Sequence, residues 1–152
     1  MIIRPATEAD VPRVYELSEG IFNESVYART CVYSPEKVAH LVTQVMLPNP
    51  DRWFLHLAET NQGIIGMYAG FLTEYYFSQD LMACDLALFV DPSKRGGLAA
   101  VKLVSAFEDW AFAHGAKEIC PATSTMVAPE RTAALYKLLG YDVVGNMFKK
   151  RR

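Results

Sequence analysis

The chain has 152 residues, 51% of them hydrophobic and 21% charged, with a formal net charge of -2. That length suits a single domain over residues 1–152 with a sizeable core, and the apolar fraction excludes extended disorder. The charge offers no global basic field for nucleic acid, and no apolar run approaches the roughly 20 residues that cross a bilayer.

Ile2-Ile3-Arg4-Pro5 reads as a short strand. Thr7 then caps a helix with an acidic residue three positions on, and Val11, Val14, Leu17 and Ile21 stripe it to about Phe22, with Pro12 tolerated in the first turns. Ser34-Pro35-Glu36 starts a second helix by the same logic, and Val38, Leu41, Val42 and Val45 form its apolar face until Leu47-Pro48. The connector from Asn23 to Tyr33, rich in Tyr, Arg and Ser, has no periodicity; it reads equally as surface or as a loop facing a substrate.

From Trp53 the pattern becomes that of strands. Trp53 to Glu59 and Ile64 to Tyr76 flank the turn Asn61-Gln62-Gly63 as a hairpin, and Leu81 to Val90 continues it into a meander. A long helix carries Ala100, Leu103, Val104, Phe107, Trp110 and Ala111 on one arc and ends at Gly115. Glu118 to Pro121 is a short strand, a helix runs from Pro129 to Gly140, and Tyr141 to Val144 with Met147-Phe148 closes the chain as a strand. The order β-α-α-β-β-β-α-β-α-β predicts an α+β fold: a mixed, mostly antiparallel central sheet covered by helices on both faces.

The stretch Asp91-Pro92-Ser93-Lys94-Arg95-Gly96-Gly97-Leu98, between a strand and the longest helix, has the parts of an anion site. Glycines let the backbone turn its N–H groups inward, the helix N-terminus leaves N–H groups unpaired, and Lys94 and Arg95 add charge. On residue types alone the anion is the pyrophosphate of coenzyme A or of another nucleotide. Gly-x-x-x-x-Gly-Lys-Ser/Thr and Gly-x-Gly-x-x-Gly are both absent, which counts against a P-loop and a dinucleotide fold.

Val90, Pro92 and the run Arg95-Gly96-Gly97-Leu98-Ala99-Ala100 resemble the signature of the GNAT superfamily of acyl-CoA-dependent N-acetyltransferases, with Leu98 standing where the family has glycine. Slipping the register by one puts Gly97 in that slot and Lys94 in place of the arginine; Pro92, Arg95, Gly96, Ala100 and Leu103 favour the gap-free reading. Ala134-Leu135-Tyr136-Lys137-Leu138-Leu139-Gly140-Tyr141 resembles the family's tail motif, and the element order matches its fold.

The resemblance implies an N-acetyltransferase that moves the acetyl group of acetyl-CoA, as co-substrate, to a primary amine by direct attack. It implies that Lys94, Arg95, Gly96, Gly97, Leu98, Ala99 and Ala100 hold the pyrophosphate. A bulged strand would present backbone around Leu88, Phe89 and Val90 to the acetyl carbonyl and pantetheine, and Tyr136 would protonate the departing thiolate. A phenol suits a thiolate of comparable basicity. The attacking amine must lose a proton; Asp85 is the nearest candidate base, with Glu74 and His56 as weaker alternatives. A carboxylate serves only where desolvation raises its pKa. The alternative is a non-catalytic acyl-CoA-binding or protein-interaction module on the same fold, favoured by Leu98 and by Pro129-Glu130-Arg131 where the family often has asparagine.

His40, His56 and His114 stand apart from one another and from the cysteines, so no metal site is expected. Cys31, Cys84 and Cys120 are odd in number without a C-x-x-C, and acidic Glu8 and Asp10 follow the short N-terminus at once. Both features favour a reducing, cytoplasmic setting. The basic run Lys149-Lys150-Arg151-Arg152 reads as a solvated end. Expected partners are a small-molecule or peptide amine, with no nucleic acid and no membrane, and the final strands could pair across a two-fold axis into a homodimer.

Overall fold

Phe54, Leu55, Leu57 and Ala58 are all buried although they lie in one strand and point to both sides of it, so the sheet that holds them needs cover on both faces. The computed structural model, which describes residues 1–150, has that arrangement. Its sheet has the order β1 (Ile2–Pro5), β2 (Trp53–Thr60), β3 (Gly63–Glu74), β4 (Leu81–Val90) and β5 (Ala116–Cys120). Neighbours pair antiparallel except β5, which joins β4 in parallel. Arg151 and Arg152 of the basic run lie outside the described residues.

Helix α1 (Val11–Glu24) and helix α2 (Pro35–His40), which widens into π-helical turns over Leu41–Met46, cover one face. Val14, Leu17, Val42 and Met46 pack there on Leu55, Leu57, Met67, Ala69 and Phe89. Helix α3 (Ala99–Ala113) covers the other, where Leu103, Phe107 and Ala111 meet Phe54, Ala58, Tyr68, Leu72, Ala83 and Val90. Helix α4 (Pro129–Leu138) follows β5. Ahead of α1, the buried Asp10 carboxylate accepts from the Thr7 N–H at 2.9 Å, the Thr7 hydroxyl at 2.8 Å and both Arg4 Nη atoms at 2.8 Å. The guanidinium holds the Asp10 carboxyl well below the usual carboxylate range. Among the described residues no helix is long and apolar enough to cross a membrane.

Strand β4 carries a bulge. Ala69 faces Ala87 and Gly70 faces Asp85, so Leu86 is the extra residue. The bulge therefore falls ahead of the Leu88–Val90 stretch where the resemblance put it. Its effect is to invert the alternation: Leu81 and Ala83 face α3, and after the bulge Leu88 and Val90 do, while Ala87 and Phe89 turn toward α1.

The closing strand expected over Tyr141–Val144 and Met147-Phe148 does not form; residues 141–150 have no regular secondary structure. Gly145-Asn146 splits the apolar residues into runs too short to bury a face, and Val143 and Val144 are exposed. Lys149 instead donates to the Ser124 carbonyl at 2.9 Å and to the Tyr27 hydroxyl, which draws the tail toward the connector after α1.

Candidate active site

Strands β4 and β5 are paired only as far as Cys84 and Cys120, then part. At the vertex Asp85 Oδ1 accepts the Ala122 N–H at 2.9 Å and ties the diverging chains together. Beyond it opens a cavity of about 540 Å³. One wall is β4 from Asp85 to Val90; the floor is the start of α3; the other wall is the 122–128 loop with Pro129, Arg131, Leu135 and Tyr136 of α4, and Met147 of the tail reaches its rim. The edge of β4 that β5 leaves carries backbone donors and acceptors without a strand to pair with.

Asp85, Leu88, Phe89, Val90, Arg95, Gly96, Gly97, Ala100 and Tyr136 thus line one cavity although they span 52 positions, from 85 to 136. The Phe89 and Val90 side chains are buried in opposite cores, so these residues offer the cavity backbone. Lys94, Leu98 and Ala99 do not line it. Ala99 is buried, and Lys94 Nζ donates to Gln62 Oε1 at 2.7 Å. Leu98, at φ -85°, precedes the first helical residue, is 63% exposed and does not line the cavity, so a left-handed backbone is not required there and the side chain does not plug the mouth.

At the helix mouth, Gly96 adopts φ +89°, a region that favours glycine. The first bond of α3 runs from the Lys102 N–H to the Leu98 carbonyl at 3.0 Å, which leaves the amides of Ala99, Ala100 and Val101 without a partner inside the helix. Arg95 is differently engaged. Its Nη atoms form a bidentate pair with Glu24 at 2.8 and 2.9 Å, its Nε donates to the Val90 carbonyl at 2.8 Å, and it lies 5.1 Å from the Phe89 ring centroid. The guanidinium fastens the end of α1 to the glycine turn. Nothing in the sequence marks Glu24 for this, since the partners are 71 residues apart.

Burial pushes the Asp85 carboxyl up to about 6 against the opposing pull of the Ala122 N–H. Tyr136 is 7% exposed, and burial first, then the charge of Asp85, hold its phenol well above the ordinary value. The pair is a carboxylate that can take a proton near neutrality and a phenol that keeps its own until a strong base appears. His56 stacks on Phe54 at 3.9 Å and burial lowers it to about 4, the state of a neutral core histidine, while Glu74 is exposed at the far end of β3. Met126 and Ala128, in the loop on the opposite wall, have φ of +60° and +46°, a strain common beside binding sites. Sequence reasoning missed this loop and also Tyr68, which is fully buried opposite the cavity-lining Leu88; neither has a motif or periodicity to reveal it.

The scaffold is thus an open, mixed α+β sheet whose parallel pair splays over a helix N-terminus, with a bulged strand on one wall. The model of the acetyltransferase (GNAT) family matches residues 12–141, and the chain belongs to that family. Among solved structures it is similar to a transcriptional regulator from Bacillus halodurans C-125, at TM-score 0.79 and 19% identity over 99% of both chains. It is also similar to an aminoglycoside antibiotic 6'-N-acetyltransferase from Acinetobacter haemolyticus, at TM-score 0.75 and 19% identity over 100% of this chain and 98% of that one. A Trypanosoma brucei acetyltransferase matches at TM-score 0.73 and 15% identity over 99% of both. These likenesses are of fold. No curated protein sequence matches the chain.

Proposed function

We propose that the chain is an N-acetyltransferase that moves the acetyl group of acetyl-CoA to a primary amine by direct attack. The observation that carries this reading is the convergence, in one cavity, of the free amides of α3, the unpaired edge of β4, Asp85 and Tyr136. The residues at the helix mouth fit a diphosphate: a Cβ at Gly96 or Gly97 would meet nothing within 4 Å, so the backbone there is open to close approach.

The turn Arg95-Gly96-Gly97 and the first amides of α3 hold the pyrophosphate chiefly through backbone N–H groups, Leu98 standing aside from it, and Lys94 adds charge from outside the cavity. Asp85 accepts the proton that the attacking amine sheds; at about 6 its carboxyl is mostly ionised at neutral pH yet basic enough to hold that proton. Backbone N–H groups on the free edge of β4 near Leu88 to Val90 steady the oxygen of the carbonyl under attack. Tyr136 gives its proton to sulfur, and its burial keeps water from competing.

Calorimetry with acetyl-CoA should show binding, and thiol release across a panel of amines should identify the acceptor class. Tyr136→Phe should lower kcat by about a hundredfold with acetyl-CoA affinity nearly unchanged; equal loss of both would contradict the acid role. The pairing of Arg95 with Glu24 favours, as a second reading, a non-catalytic acyl-CoA-binding or protein-interaction module on the same fold. Binding without transfer to any amine would select it.

A further inference from the structure

Tyr68 of β3 is 0% exposed, and its hydroxyl has no hydrogen-bond partner among the described residues. A buried hydroxyl in that state is costly, and packing alone would have been served by phenylalanine. The ring is held edge-on by Phe107 at 4.7 Å and Phe54 at 6.0 Å between centroids, so the direction of the hydroxyl is set by the core. In the sheet register Tyr68 sits opposite Leu88, which lines the cavity together with Tyr136, and the two phenols act on each other's ionisation although no hydrogen bond joins them in the free protein. The other titratable groups that act here are Asp85 from β4, Tyr141 from the segment after α4, and Glu108 from α3, which faces Tyr136 and Tyr141; His56 of β2 lies opposite Tyr68 in the sheet register.

We propose that Tyr68 is a positioning residue for the acid step: its O–H donates to the Tyr136 oxygen and strengthens that bond as negative charge develops there. The inference rests on the acetyltransferase reading above. As the new C–N bond forms and the C–S bond breaks, the electron pair of the C–S bond goes to sulfur and the Tyr136 proton follows it. Tyr136 is briefly a phenolate, which the Tyr68 hydroxyl stabilises without losing its own proton; the proton Asp85 took from the amine balances the charge when Tyr136 is restored. Burial, Asp85 and the neighbouring tyrosines hold Tyr68 itself far above the ordinary phenol range, so it remains a donor throughout. Burial and Asp85 weaken Tyr136 as an acid, and the Tyr68 contact works in the opposite direction.

The test is Tyr68→Phe, alone and combined with Tyr136→Phe, in the full chain. The single variant should keep or raise the melting temperature, leave acetyl-CoA affinity unchanged, lower kcat roughly tenfold and enlarge the solvent isotope effect on kcat. The double variant should be no slower than Tyr136→Phe alone, because Tyr68 acts through Tyr136. With 13C-labelled tyrosine, the Cζ resonance of Tyr136 should also move in Tyr68→Phe. An unmoved resonance, an unchanged kcat, or a loss that persists in the Tyr136→Phe background would each overturn the proposal. A moved resonance in a protein that transfers acetyl to no amine would confirm the contact and overturn the role together with the acetyltransferase reading.

Discussion

Asp85 illustrates how one residue takes its chemistry from position. Chain order makes it a carboxylate just ahead of a strand's apolar run; the fold places it at the vertex of β4 and β5 with the Ala122 N–H on one oxygen, and Tyr68, Tyr136 and Tyr141 feel its charge. A carboxyl raised from 3.8 to about 6 prefers its protonated form in the folded protein, and the cost of keeping it ionised at neutral pH is roughly 3 kcal/mol at most. Its contribution to stability is therefore present below about pH 4 and is lost as pH rises through about 6. Asp85→Asn should stabilise the protein at pH 7, seen as a raised melting temperature, and lower kcat by about a hundredfold or more. In the wild type, activity should fall with acidification through about pH 6 as the base is protonated, and a flat profile down to pH 5 would exclude Asp85. Its place in the chain was legible; its pKa was not, because desolvation is made by residues distant in sequence.

At the scale of elements, alternation and capping placed β1 through α4, and the differences have local causes. Helix α1 runs on to Glu24 and ends where the Ser25 N–H reaches the Ile21 and Phe22 carbonyls. Strand β4 bulges at Leu86, which no alternation of apolar residues reveals, since Leu86 to Val90 is continuously apolar. Strand β3 supports that wall through Gly66, where a Cβ would lie 2.7 Å from the Phe89 carbonyl oxygen and 3.2 Å from Val90 Cα. Gly66→Ala should force β3 and β4 apart beside the cavity, costing about 1–3 kcal/mol and lowering the melting temperature. Acetyl-CoA affinity should fall with it, whereas an exposed substitution of equal destabilisation should leave affinity alone.

For the molecule as a whole, the sheet divides two cores, and the cavity opens where its parallel edge splays rather than within either core. The tail over residues 141–150 adds no strand and reaches the rim through Met147 and Lys149. A chain ending at Asn146 should therefore keep its melting temperature within about 2 °C, since little apolar surface is lost from the cores. A drop of ten degrees would show that the tail is part of the fold. What the sequence alone determined was the succession of elements, the glycine turn before a long helix, and a tyrosine motif near the end; each depends on residues a few positions apart, whose backbone preferences and periodicity are local. Only the tertiary structure decided that Arg95 pairs with Glu24, that the expected last strand stays unformed, and that Tyr68 is fully buried with its hydroxyl unpaired. Ion pairing, desolvation and strand partnership join groups far apart in the chain, and their energies exist only once the chain has brought them together.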